Sequence, residues 1–153
     1  MNNEPKAELH YREAAATKEV ILAHLRECDM LFVPPLSSWI DLPAYGEKLA
    51  AHATTFGLWQ NECLVAFIAA YMNRPEGGIA FISSVSVVAD HQGRGLASLL
   101  LDKVKERAGA MGFAKIHLEV DERNFNAIAL YERHGFVQHT VEGHRTTMEF
   151  NKL

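Results

Sequence analysis

A glycine-rich turn between a buried strand and a long helix restricts the fold of this chain more than any other segment. Residues 85–98 read VSVVADHQGRGLAS, with small residues at positions 93, 95 and 97. The first turn of a helix leaves its backbone N–H groups without partners, and small side chains let an anion approach them closely. The pattern therefore favours an anion site at this turn, of a kind that suits a pyrophosphate.

Two other interpretations of the turn compete with this one. It is either a tight strand-to-helix connection without a ligand, or the glycine fingerprint of a dinucleotide-binding fold. The spacing of Gly93 and Gly95 matches the start of that fingerprint, but Ser98 stands in place of its third glycine. The turn also lies in the middle of the chain, in the wrong topology for a doubly wound fold.

We expect one domain over residues 1–153, because the sequence contains no repeat, low-complexity tract or linker. Hydrophobic periodicity predicts the order β-α-α-β-β-β-α-β-α-β-β, a mixed α/β arrangement with a largely antiparallel first half. The strands are predicted at 8–12, Thr54–Gln60, Cys63–Tyr71, 79–88, Lys115–Asp121, 136–141 and 146–150. The helices are predicted at Lys18–Cys28 behind Thr17, at Leu42–His52, from Gly95 to Gly109 or Gly112, and from Asn124 or Asn126 to Gly135. The strand at 79–88 is apolar at both parities, which predicts burial on both faces.

Composition and charge exclude several classes of partner. The net charge is −4, and the basic cluster of Lys103, Lys105 and Arg107 alternates with Val104 and Glu106 on a predicted helix, so we expect no nucleic-acid surface. No apolar run approaches the roughly 20 residues that span a bilayer, and the polar N-terminus does not resemble a secretory signal. These features predict a cytoplasmic protein without a membrane partner.

The cysteines and histidines form no recognisable site in the sequence. Cys28 and Cys63 are far apart and in no CxxC arrangement, which predicts two unpaired thiols. The eight histidines are scattered and no HExxH segment occurs, so we expect no metal site.

The glycine turn and two segments downstream of it together indicate a known family. The pattern Gln92-x-x-Gly95-x-Ala97 follows a strand, residues 118–120 read LEV, and residues 124–136 read NFNAIALYERHGF. In this order they resemble the GNAT superfamily of N-acetyltransferases, strongly from about residue 85 to residue 136. The resemblance implies a GNAT fold, with a mostly antiparallel mixed sheet and helices on both faces. It also implies acetyl-CoA as co-substrate, without a metal.

The same resemblance assigns a cofactor site. In this family the loop amides bind the pyrophosphate of coenzyme A, and the strand before the loop separates from its neighbour and binds pantetheine through its backbone. Asn124 is a good helix N-cap and, by resemblance, also a ligand of the cofactor. Arg94 either pairs with a phosphate or points to solvent. The residues assigned to the cofactor are Val85, Val87, Gln92, Gly93, Arg94, Gly95, Leu96, Ala97, Ser98, Asn124 and Tyr131.

Two residues are candidates for the proton transfers that amine acetylation requires. By resemblance Tyr131 lies beside the coenzyme sulfur, and a phenol with a pKa near 10 can protonate the departing thiolate. Glu119 is the candidate base for the amine, with the alternative that it is a strand carboxylate paired with a neighbour. Asp121 and Glu62 are reserve candidates. Neither cysteine is placed as a nucleophile, so we expect direct attack by the amine in a ternary complex.

The acetyl acceptor is less constrained than the donor. The resemblance implies that the first two helices, their loop and the last hairpin bind it. The candidate residues are Phe32, Ser37, Trp39 and Tyr45, with Pro34, Ser38, Asp41 and His144 nearby. A small amine, an amino sugar and a peptide N-terminus remain open as acceptors. A non-catalytic acyl-CoA-binding or regulatory module is the alternative function, and a homodimer is an open alternative for the assembly.

Overall fold

A seven-stranded sheet lies at the centre of the structure, a computed structural model that describes residues 8–153. Its strands are β1 Leu9–Glu13, β2 Thr54–Gln60, β3 Cys63–Tyr71, β4 Ile79–Val87, β5 Lys115–Asp121, β6 Val137–Glu142 and β7 Arg145–Phe150. The helices are α1 Lys18–Cys28, α2 Leu42–His52, α3 Leu96–Met111 and α4 Phe125–Arg133, with short 3-10 turns at Asp29–Leu31, Leu36–Ser38, Pro75–Gly77 and Ala89–His91. Residues 1–7, where we expect no secretory signal, lie outside the described residues.

The strand order is β1-β2-β3-β4-β5-β7-β6, and the β4–β5 pair is parallel while the other pairs are antiparallel. Alternation along β3 sends successive side chains to opposite faces of the sheet. Phe67 packs in one buried cluster with Ile21 of α1 and Leu49 of α2, and Ile68 packs in the other with Leu100 of α3. The predicted mixed, mostly antiparallel sheet with helices on both faces is therefore confirmed.

Short-range signals fix the helix ends. The Thr17 hydroxyl accepts the Val20 N–H at 3.3 Å, and an Asp41 carboxylate oxygen accepts the Ala44 N–H at 3.0 Å. Each bond satisfies one of the N–H groups that the first turn of a helix leaves free. At the other end of α3, Gly112 has a φ of 90°, a left-handed conformation that glycine adopts without steric cost. Of the two glycines predicted to end this helix, Gly112 is the one that does so.

The parallel β4–β5 pair is short, and the two strands then diverge. Pairing runs from Ile79 with Lys115 to Ile82 with Leu118, and residues 84–87 of β4 pair with β3 on their other side. A β-bulge at Ser83 accompanies the divergence, because Ala69 pairs with Ser84 and Ala70 pairs with Ile82. A bulge bends and twists its strand. The sheet is therefore open between the second halves of β4 and β5.

This opening changes the expected burial of β4. The predicted strand at 79–88 ends at Val87, and its last three residues, 85–87, are only half-buried. The prediction of burial on both faces was wrong, because only Ala80, Ile82 and Ser84 of this strand are buried and Ile79 is exposed, while residues 85–87 border the open cleft. No helix within residues 8–153 combines the length and the apolar character that a bilayer crossing needs.

Candidate functional site

A cleft of about 850 Å³ lies where β4 and β5 diverge, and side chains from the helices on both faces of the sheet line it. It brings together residues that are more than a hundred positions apart in the sequence, from Met30 to Arg145. Most of the predicted cofactor and catalytic residues lie on this one surface: Val85, Val87, Gln92, Gly93, Gly95, Leu96, Ala97, Ser98, Glu119, Asn124 and Tyr131.

The glycine turn presents free backbone N–H groups at this cleft. Within the described part of the chain, the N–H groups of residues 93–98 donate to no acceptor, and the first bond of α3 runs from Leu99 N to Gly95 O at 3.1 Å. Gly93 and Gly95 have φ values of 78° and 73°, and a Cβ at either position would meet nothing within 4 Å. The positive φ, and not a lack of space for a side chain, therefore favours glycine at both positions. Free N–H groups at the positive end of a 16-residue helix form a site for an anion.

Two polar side chains of the turn have partners within the protein. The Gln92 amide donates to the carbonyl oxygen of Val87 at 3.2 Å, which fastens the turn to the end of β4. The Arg94 guanidinium donates to the carbonyl oxygen of Asp90 at 3.2 Å. Arg94 is exposed and does not line the cleft, so the structure does not join it to the other predicted cofactor residues.

Helix α4 carries two of the predicted residues into the cleft. The Asn124 side chain accepts the Ala127 N–H at 3.3 Å, so the expected N-cap is Asn124 and not Asn126. Tyr131 is buried, and its ring meets Phe136 edge-on at 5.9 Å between centroids. Burial raises the pKa of the Tyr131 phenol above its ordinary value. The phenol therefore holds its proton at neutral pH, as a proton donor must.

Glu119 lines the cleft and is paired with a residue that sequence reasoning missed. Its carboxylate accepts the Arg145 Nε–H at 3.2 Å, and the Arg145 guanidinium lies 5.0 Å from the centre of the Trp39 ring. Arg145 and Glu119 come from neighbouring strands, since Asp121 of β5 pairs with Arg145 of β7. The expectation that the last hairpin helps to bind the acceptor was the available signal. Both expectations for Glu119, a place in the site and a charged neighbour, are compatible with this geometry.

The two reserve carboxylates lie in unfavourable surroundings for a base. Asp121 accepts three hydrogen bonds from Arg123, at 2.8 Å from the backbone, 2.9 Å from Nε and 2.7 Å from Nη2. These bonds hold the pKa of the Asp121 carboxyl well below its usual range, which makes it a weak proton acceptor. Glu62 is exposed in the β2–β3 turn and does not line the cleft.

The acceptor residues predicted from the sequence fall into two groups. The cleft is lined by Phe32, Pro34, Trp39 and Tyr45, and also by five apolar residues of the same region that the prediction omitted, Met30, Leu31, Val33, Leu36 and Ile40. The others do not line it and are occupied elsewhere. Ser37 binds the Asp29 carboxylate, Ser38 donates to Pro35 O, Asp41 caps α2 and His144 pairs with Glu122. The polar side chains predicted to bind the acceptor instead form hydrogen bonds within the protein, and the side chains that line this end of the cleft are mainly apolar.

Comparison with known sequences agrees with this geometry. A sequence model described as the acetyltransferase (GNAT) family matches residues 19–136, which is more than half of the chain. No curated protein matches the chain at a significant level.

Solved structures of the same fold are similar over nearly the whole chain. The PaiA N-acetyltransferase from Thermoplasma acidophilum, in complex with coenzyme A, is 14% identical, with a TM-score of 0.76, covering 94% of this chain and 99% of that one. The ribosomal-protein-S18-alanine N-acetyltransferase from Escherichia coli is 23% identical, with a TM-score of 0.70 and coverage of 93% and 91%. YncA from Salmonella typhimurium, with its cofactor acetyl-CoA, is 18% identical, with a TM-score of 0.71 and coverage of 94% and 93%. At these identities the likeness shows the fold.

Proposed function

Because this chain belongs to the acetyltransferase (GNAT) family, we propose that it transfers the acetyl group of acetyl-CoA directly to a primary amine. The observation that carries this proposal is the row of unpartnered N–H groups at residues 93–98, which opens onto a cleft between diverging strands. A diphosphate accepts several such hydrogen bonds at once and interacts favourably with the helix dipole. PaiA and YncA, which share the fold, hold coenzyme A and acetyl-CoA.

The open edge of β4 is the proposed site of the pantetheine arm. Among the described residues, 84–87 have a strand partner only on the β3 side, so backbone groups on the other side are free to bind an extended ligand. Pantetheine contains two amides and therefore offers both donors and acceptors to such an edge. With the pyrophosphate at Gly93 and Gly95, the arm runs along β4 towards Ile82, where the two strands meet.

Glu119 and Tyr131 are the proposed proton acceptor and donor. The amine gives up a proton to the Glu119 carboxylate, directly or through water, and its nitrogen attacks the thioester carbonyl carbon. The tetrahedral intermediate then breaks its carbon–sulfur bond, and the leaving thiolate takes the proton of the Tyr131 phenol. The second proton of the nitrogen passes to the Tyr131 phenolate, and Glu119 releases its proton to solvent, so both side chains are restored. The products are an N-acetyl amine and free coenzyme A. No covalent enzyme intermediate is needed, and Cys28 is buried while Cys63 is exposed and off the cleft.

The acceptor end of the cleft favours an amine attached to an apolar group. Phe32, Val33 and Trp39 provide its wall, while Glu119 attracts the cationic amine before it is deprotonated. A peptide N-terminus with an apolar side chain and a small hydrophobic amine both fit this description. The similar E. coli enzyme is named for an alanine of ribosomal protein S18, which makes peptide N-termini the first acceptors to screen.

A pair of glycine variants tests the donor site. Gly95→Asp places a carboxylate at the proposed pyrophosphate site, and like charges in contact cost several kcal/mol, so affinity for acetyl-CoA should fall roughly 100-fold or more. Gly112→Asp is the control, because this glycine also has a positive φ and an open surrounding but lies at the far end of α3, off the cleft. Calorimetric titration with acetyl-CoA measures both. Equal affinities for the two variants would place the pyrophosphate elsewhere.

A second assay separates an enzyme from a binding module. We expect free coenzyme A thiol to be released only when both acetyl-CoA and an amine acceptor are present. A screen of peptide N-termini, small amines and amino sugars, read by thiol release, identifies the acceptor class. Tight binding of acetyl-CoA without release for any acceptor would favour the regulatory module.

A further inference from the structure

Two histidines and a glutamate converge on the sheet face that β5, β6 and β7 present away from α3 and α4. His117 Nε2 lies 2.8 Å from Glu149 Oε2, and His139 Nδ1 lies 3.7 Å from the same oxygen. All three potential ligand atoms lie within 4.8 Å of one another. None of these residues lines the cleft, so the cluster is separate from the proposed acetyl-transfer site.

The cluster is held by three adjacent strands. His117 of β5 and Glu149 of β7 are direct partners across the sheet. His139 occupies the irregular position of β6, where the register with β7 shifts between Gln138 and Thr140. Bulges commonly redirect a side chain. Here the centre of the His139 ring lies 5.1 Å from the centre of the His117 ring. Glu149 is almost fully buried and His117 is mostly buried, so their positions are fixed by packing.

We propose that His117, His139 and Glu149 form a binding site for a divalent transition-metal ion of the Zn²⁺ type. Two imidazoles and one carboxylate are a known zinc ligand set, which leaves a fourth position for water. Bonds of about 2.0–2.2 Å in a tetrahedron place ligand atoms roughly 3.3–3.5 Å apart. The two distances to Glu149 Oε2, 2.8 and 3.7 Å, bracket that spacing, and all three ligand atoms lie within 4.8 Å of one another. The side chains must therefore rotate to draw the ligand atoms together around an ion. The sequence led to the expectation of no metal site, because its histidines are scattered. The strand register that brings His117, His139 and Glu149 together is not visible as a sequence motif.

The charges around the cluster are compatible with a cation. The Glu149 carboxylate is the acidic ligand of the cluster, and its Oε2 lies 2.8 Å from His117 Nε2. Lys115 Nζ lies 3.6 Å from the same carboxylate and competes for it. The Lys115 side chain is 44% exposed and is therefore free to turn to solvent when a metal binds. A bound ion would tie β6, an outer strand that pairs with β7 alone, to the interior strand β5.

Zinc titration of the untagged protein tests the site. We expect one zinc ion per chain by calorimetry, a rise in melting temperature with zinc, and visible absorption typical of tetrahedral Co²⁺ when cobalt replaces zinc. His139→Ala should weaken zinc binding by about 10-fold or more, since even partners of metal ligands contribute 10–100-fold. His139 is half-exposed, so this variant should fold.

A matched control uses another histidine–glutamate pair. His144 is exposed and lies 2.7 Å from the Glu122 carboxylate, but no third ligand joins this pair within the described residues. His144→Ala should bind zinc like the unaltered protein. Glu149→Gln, a change that preserves shape, should weaken zinc binding as His139→Ala does. The proposal is overturned if zinc does not bind, or if it binds all three variants with the same affinity.

Discussion

The hydroxyl of Tyr131 is one oxygen atom on a buried ring, and its removal tests catalysis without disturbing packing. Tyr131→Phe should lower turnover by about 10²–10⁴-fold, the usual contribution of a positioned general acid. Affinity for acetyl-CoA should change little, because the lost interaction matters as charge develops on sulfur. Steady-state rates at saturating amine, beside a binding titration, measure the two effects.

Tyr71→Phe is the control for this variant. The Tyr71 hydroxyl is also buried, has no partner and lies off the cleft. Its removal should leave turnover unchanged. Full turnover of Tyr131→Phe would falsify the general-acid role, and lost binding together with lost turnover would instead assign Tyr131 to the shape of the pantetheine channel.

Glu119 is tested through the pH dependence of the rate. Glu119→Gln keeps the side-chain shape and removes the proton acceptor, so the rate should fall most at low pH, where little amine is free. Affinity for acetyl-CoA should stay the same. Glu122→Gln is the control, because Glu122 is exposed, lies off the cleft and pairs with His144. An unaltered pH–rate profile in Glu119→Gln would transfer the role of base to water.

At the scale of single residues, the sequence predicts which residues belong to the site better than it predicts which side chains they contact. Tyr131 and Asn124 could be placed because a local pattern surrounds them. The pairing of Glu119 with Arg145 and the stacking of Arg145 on Trp39 join three distant segments. Such contacts depend on strand register and on a loop whose path is set by tertiary packing, so they do not follow from the local sequence.

Whole elements were more predictable than contacts. The bounds of α1, α2, β2, β3 and β5 follow from periodicity and from polar caps such as Thr17 and Asp41, while the other strands shift by one residue. The sequence did not indicate what the basic residues of α3 contact, and Lys105 Nζ lies 4.2 Å from the centre of the Phe150 ring. The bulge at Ser83 was also not foreseen. The Tyr45 hydroxyl donates to the Ser83 carbonyl at 3.1 Å, and that contact exists only once α2 packs on the sheet.

The β5–α4 connection depends on a charged hydrogen-bond set. Asp121→Asn weakens the three bonds from Arg123 and should destabilise the protein by about 1–3 kcal/mol near pH 7, lowering the melting temperature roughly 2–4 °C per kcal/mol. Because the folded protein holds the Asp121 pKa below its ordinary 3.8, this contribution is complete above that value and is lost as the pH falls through the folded pKa. Urea unfolding at several pH values should show the two proteins converging in acid. If the two proteins differ in free energy of unfolding by the same amount at every pH, the stabilising role of the Asp121 carboxylate is contradicted.

For the whole molecule, acetyl-CoA should act as a stabilising ligand. At 100 times the dissociation constant it contributes about 2.7 kcal/mol, which corresponds to roughly 5–11 °C in melting temperature for a chain of this size. Hydrogen exchange should slow at residues 83–87 and 93–98, where the ligand accepts hydrogen bonds from the backbone. Gly112→Asp should retain both effects and Gly95→Asp should lose both. A melting shift without local protection would indicate binding at another surface.

Because β4 and β5 diverge, the sheet has four exposed edges instead of two: the outer edges of β1 and β6, and the inner edges of β4 and β5 beside the cleft. Unpaired strand edges attract other chains and promote aggregation. The outer strands carry protection of a common kind: Arg12 and Glu13 are charged on β1, and β6 is irregular at His139. The inner edges face each other across a narrow cleft walled by helices, so a slender, extended molecule can enter where a folded partner cannot. The proposed ligand site should therefore also limit self-association through the strand edges, and variants that widen the cleft should first lose solubility.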